Sequence, residues 1–321
     1  MHRVASTLRA GAFLAVLAAL ASGCAGTADR SSLAPSQSGS PSRADSSQSD
    51  LLYIGGKKHI DSYAYPGGSF QERISTKFSA VAMCSDIKGN IFVMAVQDES
   101  SSVTGAVYKY AHGGSSPIAT LSLPEHQLPV NCSSDPTSGT LAVTSYNSHN
   151  FAPQLNVYAD ASGTPHVHKN EALGAMPQPA YDDSGNLYVT SGGDVGVALP
   201  KGASRLVKVT TNVTLGGIAH AQWDGKYFAL QSFTVAKHSG EHTLERVYRL
   251  DISGTTGKIV GFSRFVDWFV KDPGQSWIAG TTLIATPASY VAFWNYPGGG
   301  KSIGVLHPAQ PGKAVTVSVG G

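Results

Sequence analysis

Hydrophobic positions in this chain come in short runs, each cut off by a turn rich in glycine, proline or aspartate before an amphipathic helix could develop. Residues 79–114 set the pattern. Residues 79–85 are small and apolar, Asp86-Ile-Lys-Gly89-Asn90 is a turn, 91–96 alternates as a second strand, and 106–110 is a third that ends at His112-Gly113-Gly114. A fourth strand is expected at 117–123. The unit then returns, degraded but in register. Its first turn recurs at Asp135-Pro-Thr-Ser-Gly139, Asp182-Asp-Ser-Gly185-Asn186, Asp224-Gly225-Lys226 and Asp272-Pro-Gly274-Gln275, at spacings of 49, 47, 42 and 48 residues. The end of its third strand recurs as Tyr65-Pro-Gly-Gly, Tyr110-Ala-His-Gly-Gly, Tyr158-Ala-Asp-Ala-Ser-Gly, Leu250-Asp-Ile-Ser-Gly and Tyr296-Pro-Gly-Gly.

A period of this length with four short strands per unit predicts a ring of small antiparallel sheets. Such a sheet is apolar on both faces once its neighbours stack on it, and closure hides most strand edges. First strands fall near residues 79, 128, 177, 217, 265 and 314, which counts six. The last runs out before its turn, whereas 51–54, 59–65 and 71–76 supply three strands that lack a first. The expectation is an all-β fold: a six-bladed β-propeller over residues 51–321, four antiparallel strands per blade, closed by the C-terminal strand joining the N-terminal blade.

Residues 1–23 read as a signal peptide, with Arg3 and Arg9 at a basic start, an apolar run from Ala10 to Ala21 and small residues before Cys24. The run is too short for a permanent span. The ending Ala21-Ser-Gly-Cys24 resembles the lipobox of bacterial lipoproteins, which implies cleavage before Cys24 and lipidation of its sulfur; ordinary secretory cleavage is the other reading. With Ala25 next, the resemblance implies the outer membrane in a cell that has one, or the cell surface. Residues 24–50 are serine-rich without apolar periodicity and are expected to be a disordered tether. Such a tether would average roughly 28 Å end to end and reach about 90 Å.

Charge narrows the partners. The chain has 23 basic and 21 acidic residues, a net of +2, and only 14% charged residues, so no basic stripe suggests nucleic acid. Low charge and 36 glycines suit an exported β protein, and a monomer is expected. Beyond Cys24 there are two cysteines, Cys84 and Cys132, on innermost strands of consecutive blades. Export permits a disulfide between them; two buried thiols are the alternative, since their positions relative to the turns are offset.

The turn aspartates look like a carboxylate cluster when written together, yet they occupy equivalent hairpins around a ring. They are read as turn caps, with the glycine taking positive φ. His166-Val-His168 puts two imidazoles on one face of an outer strand, and His238 and His242 flank a loop, with no third ligand nearby in sequence. No metal or other cofactor is expected from them.

A better constellation lies four residues before each turn aspartate, where the inner strand meets the channel: Asn131, Gln178, His220 and, by alignment of the last strand, Thr316. Ala82 and Trp268 occupy the other two positions. Gln222, Asp267, Trp223 and Trp268 lie nearby, and the set would suit a small polar ligand in the channel. A water-filled polar channel is the competing reading.

The Asp-x-x-Gly-Asn and Tyr-Pro-Gly-Gly motifs resemble those of six-bladed propellers of the NHL-repeat and gluconolactonase-like (TolB-like) superfamily, over residues 51–321. The resemblance implies a fold, and a choice among metal-dependent lactonases, streptogramin lyases and noncatalytic binding modules. Of the inner-strand Glu and Asn ligands of a lactonase only Asn131 is suitably placed. Asp272-Pro-Gly-Gln-Ser-Trp277 is similar to the Asp-box of sialidase propellers, with Val270 in place of serine or threonine. The sequence therefore favours a noncatalytic module binding a protein, peptide or glycan. The alternative is a hydrolase or lyase in which His220 acts as acid or base and Asp267 orients it.

Overall fold

The computed structural model describes residues 49–99, 102–174, 176–191, 194–212, 215, 218–235, 242–265, 269–270, 275–286 and 290–320. The expected signal peptide, Cys24, nearly all of the expected tether, Asp267, Trp268, Asp272 and His238 lie outside them. The described chain is all-β and forms a β-propeller arrangement of five hydrogen-bonded sheets.

The first sheet takes β1 (Leu51–Ala64), β2 (Phe70–Ser85), β3 (Ile91–Glu99), β4 (Ser102–Tyr110) and β5 (Pro117–Ser122) in order, with β24 (Gly312–Ser318) paired to the other edge of β1. The second runs β6 (Gln127–Ser134), β7 (Leu141–Asn147), β8 (Pro153–Tyr158), β9 (His166–His168). The third runs β10 (Pro179–Tyr181), β11 (Leu187–Ser191), β12 (Asp194–Leu199), β13 (Val207–Lys208). In the fourth, β15 (Ile218–Trp223), β16 (Phe228–Val235), β17 (His242–Ser253) and β18 (Thr256–Arg264) are consecutive; β14 (Thr210–Thr211) pairs parallel to β18, and β19 (Phe269–Val270) pairs with β17. The fifth runs β20 (Ser276–Ala279), β21 (Thr282–Ala285), β22 (Val291–Asn295), β23 (Gly304–Leu306).

Five sheets stand where six blades were expected, and the difference lies in the first. Its strands β1 and β2 are long but not straight. A straight strand the length of β1 would span roughly 45 Å, yet the Tyr65 amide donates to the Asp50 carbonyl at 2.8 Å. The chain therefore doubles back inside β1, at the exposed pair Lys57-Lys58, where Lys58 has φ +62°. Residues on one side of this reversal, Leu51 to Gly56, pair with β24, and those on the other pair with β2. Strand β2 changes partner too, from β1 to β3 at Ser79.

Apolar packing follows the same division. Met83, Ile91 and Val93 meet Tyr53, Ile60 and Ala314 in one buried cluster. On the other face of the same strands, Cys84, Phe92 and Met94 meet Cys132, Leu141 and Val143. Further clusters join Ala142 and Leu155 to Leu187 and Val197, and Tyr188 and Ala198 to Phe228 and Leu230. Two more join Ala229 and Val247 to Leu283 and Trp294, and Ile284 and Val291 to Leu52 and Val315. Each alternating strand thus buries both faces, which is why apolar and small residues occupy both parities of the inner strands.

Turns and tyrosines behave as the repeats predicted. Asp86 Oδ1 accepts from the Lys88 and Asn90 amides at 2.9 Å each, and Asp182 Oδ1 from Ser184 and Asn186. Asp135 accepts from the Thr137 amide and the Ser138 hydroxyl, and Asp224 from the Lys226 and Tyr227 amides. The aspartates are caps. Gly89 and Gly185 take φ of +80° and +84° in these turns. The recurring tyrosine latches sheet to sheet: Tyr296 Oη donates to Asp224 Oδ2 at 2.6 Å, and Tyr158 Oη to the Ser122 carbonyl at 2.9 Å.

One repeat was misplaced. A first strand was expected near 265 with its turn at Asp272, but the corresponding hairpin is β20–β21, turning at Gly280-Thr281 with Ala279 opposite Thr282 and Gly280 at φ +56°. The physical reason is that β18 continues to Arg264 as an outer strand, and buried Phe265 bridges to Gly300. The inner strand therefore starts later than the period implies.

Cys84 and Cys132 form a disulfide with Cα atoms 5.8 Å apart. It ties β2 to β6, so the offset of the two cysteines in the repeat does not separate them.

Candidate functional site

Inner strands β6 and β15, and the residue leading into β10, bring Asn131, His220 and Gln178 together near the axis. Asn131 Nδ2 donates to Gln178 Oε1 at 2.5 Å and to His220 Nδ1 at 2.8 Å. Asn131 Oδ1 accepts from the Cys132 amide at 2.8 Å. Local structure sets two of these positions, because an irregularity in register lies next to Asn131 in β6 and next to His220 in β15. Such bulges re-aim a side chain relative to its strand. All three side chains are buried.

The fourth member is Gln275, which sequence reasoning missed. Its Oε1 accepts from the Met83 amide at 2.8 Å and the Val315 amide at 3.0 Å, while its Nε2 donates to the Met83 carbonyl at 2.5 Å and reaches Asn131 Oδ1 at 3.4 Å. A signal was present. Gln275 stands four residues before Ala279, which opens the Gly280-Thr281 turn, as Asn131, Gln178 and His220 stand four before their aspartates. That turn has no aspartate, so the search by turn residue passed over it.

Other expected channel residues lie apart from this cluster. Gln222 clamps β20, its Nε2 donating to the Ile278 carbonyl and its Oε1 accepting from the Ile278 amide, both at 2.8 Å. Thr316 Oγ1 lies 3.5 Å from Ser85 Oγ and is fully buried. Asp267 and Trp268 lie outside the described residues. Trp223 is half-buried, and its indole nitrogen has no partner among the described residues.

Because Asn131 donates to Nδ1, the proton of neutral His220 is on Nε2, which is buried without a partner among the described residues. Burial lowers the His220 pKa from the ordinary 6.5 to about 4. The imidazole is neutral at physiological pH, and charging it would place a cation in a dry site against the donating Asn131 amide. The sign follows directly: between pH 6.5 and 4 the unfolded chain binds a proton the folded chain refuses, so His220 destabilises the fold as pH falls through that window and has no such effect above it. The unfolding free energy of wild type, from urea titrations, is expected to fall between pH 6.5 and pH 4.5 by up to about 1.4 kcal/mol per pH unit through this group. In His220→Gln that part of the slope should vanish; an unchanged slope would mean His220 is not the proton acceptor.

The axial amides are thus bonded mainly to one another and to backbone. A separate pocket of about 280 Å³ sits at the outer part of the last sheet, lined by Tyr290, Ala292, Trp294, Ser302, Val305 and His307. Among the described residues no group of three or more histidine, cysteine or carboxylate side chains is arranged to hold a metal ion.

A different surface stands out at the end of the sheets where first strands begin and the second and third strands are joined. There Val81, Val103, Phe151 and Met176 are exposed, Phe151 at 65%. Lys58, His126, Phe151 and Met176, at this same end, have positive φ without being glycine. The loop is organised: the Ser148 amide donates to the His126 carbonyl at 2.8 Å, His126 and His149 meet edge to face at 4.4 Å, and Phe151 stacks near Tyr146 at 5.8 Å.

The sequence matches no protein-family model and no curated protein. Solved structures do match. A chain in a nidogen/laminin complex aligns with TM-score 0.63 at 12% identity, over 84% of this chain and 99% of that one. A protein of unknown function from Bacteroides caccae aligns with TM-score 0.56 at 9% identity, again over 84% and 99%. Identities this low speak to fold alone.

Proposed function

We propose that residues 51–321 close a six-bladed ring, and that the chain is a membrane-tethered, extracytoplasmic, noncatalytic binding module of the kind its motifs resemble. Support for six blades comes from the reversal in β1 and the change of partner in β2, which divide the six-stranded sheet into two sets of four. The six apolar clusters formed by the described residues, one for each blade interface, agree with that count. Support for export comes from the lipobox-like Ala21-Ser-Gly-Cys24 and from the Cys84–Cys132 disulfide, a bond that persists in oxidising compartments.

The observation that carries the binding reading is how the side chains divide between axis and end surface. On the axis the polar groups hold one another and His220 is kept neutral, which leaves no poised acid or base among the described axial residues. At the strand-entry end, apolar side chains are held outward on loops whose backbones bear the cost of positive φ, a pattern that clusters at functional surfaces. A protein, peptide or glycan is the partner class for such a surface.

The test is a melting-shift screen of peptides and glycans on the full chain, followed by Phe151→Ser and His220→Ala. A ligand's stabilising shift should disappear in Phe151→Ser and survive in His220→Ala. Turnover of a lactone or ester that is lost in His220→Ala with the melt intact would overturn the reading. Cys24→Ala is expected to move the protein from the membrane fraction to the soluble one.

A further inference from the structure

The histidine pair of β9, from which the sequence led to no expected metal, has a geometry of its own. His166 Nδ1 and His168 Nε2 are 3.0 Å apart, and the ring centroids are 4.4 Å apart with the planes at 53°. A hydrogen bond running along both ring axes would hold the centroids about 5 Å apart. The rings are closer than that, so at least one nitrogen lone pair is turned off the line between the nitrogens.

Two imidazole nitrogens that bind one ion at the usual 2.0–2.1 Å and stand 3.0 Å apart subtend about 93° at that ion. That is the angle between neighbouring positions of a square-planar or tetragonal centre, the geometry of Cu²⁺ on nitrogen ligands, and it is narrower than a tetrahedral zinc centre prefers. Strand geometry supplies the chelate, because residues two apart project from one face and ladder pairing holds them there: His168 is opposite Leu155 and His166 opposite Val157. His166 is exposed and His168 half-buried, so an ion has access from solvent.

We propose that His166 Nδ1 and His168 Nε2 form a bidentate site for a divalent transition-metal ion, Cu²⁺ by preference, on the outer edge of the second sheet. In the metal-free protein one proton lies between the two nitrogens. On binding it shifts, through solvent, to the outer nitrogen of its own ring, so both inner lone pairs reach the ion and no net proton is released. The ion's remaining positions are filled by water or by groups of a bound molecule.

The experiment is titration of the full chain with Cu²⁺, read by electron paramagnetic resonance and calorimetry, alongside His166→Gln, His168→Gln and the double variant. Wild type should bind one ion with two equatorial nitrogens. Each single variant should weaken that ion's binding at least about tenfold, with melts of the metal-free variants unchanged. Binding of equal affinity and nitrogen count in wild type and the double variant would overturn the site, as would a wild-type signal from a single nitrogen.

Discussion

Removal of residues 313–321 is expected to abolish the cooperative unfolding transition of the whole domain, not merely lower its midpoint. Strand β24 contributes five consecutive buried residues, Ala314 to Ser318, and pairs antiparallel with β1 from Leu51–Ser318 to Ile54–Val315 and beyond. It also touches the strands on either side. Val317 accepts from the Ser85 hydroxyl at 2.7 Å, and the Lys313 carbonyl accepts from the Gln275 amide at 2.7 Å and the Thr286 hydroxyl at 2.9 Å. Without β24, the edge of β1 is unpaired and the clusters around Tyr53 and Ile284 open to water. Several buried side chains and a whole ladder of backbone hydrogen bonds are lost at once, against a total stability of only about 5–15 kcal/mol for a typical domain. Calorimetry on the truncated chain should show no two-state melt; a single sharp transition like that of the full chain would rule out closure through β24.

The architecture was legible because propeller repeats write themselves in turn residues. Asp86, Asp135, Asp182 and Asp224 each cap a hairpin by accepting neighbouring amides, so a local requirement of four residues stamps the period on the sequence. The repeat that was misplaced lacks that requirement: Ala279-Gly280-Thr281-Thr282 turns on glycine alone. Three of the four axial side chains were found by counting back from an aspartate, and Gln275 was lost with its missing aspartate. What the count could not reveal is the use the side chains are put to. Whether amides on an axis line an open channel or bond across it depends on spacings of tenths of an ångström between strands distant in sequence, and no local pattern encodes them. The outward Phe151 and Met176 were illegible for a related reason, since a loop residue with positive φ carries no sequence mark unless it is glycine.

Gln275→Leu is expected to cost about 4 kcal/mol of unfolding free energy, a large effect for one nearly isosteric side chain. Leucine approximates the volume, so packing changes little, but it cannot accept from the Met83 and Val315 amides, which Gln275 Oε1 bonds at 2.8 and 3.0 Å. These amides belong to strands β2 and β24, and Gln275 leads into β20, so a single oxygen joins β2, β24 and the start of β20. Each buried N–H left unpaired costs roughly 1–3 kcal/mol, and the Met83 carbonyl loses a donor as well. Asn131→Leu removes only one acceptor for a backbone amide, that of Cys132, and should cost about half as much. The two changes should also couple, because Gln275 Nε2 reaches Asn131 Oδ1, so the double variant is expected to lose less than the sum. Urea unfolding of the four proteins at pH 7, with equal m-values, gives all three quantities. A Gln275→Leu loss below about 1 kcal/mol would mean that water replaces the glutamine on the axis, and the axis would then have to be treated as a hydrated channel open to small polar ligands.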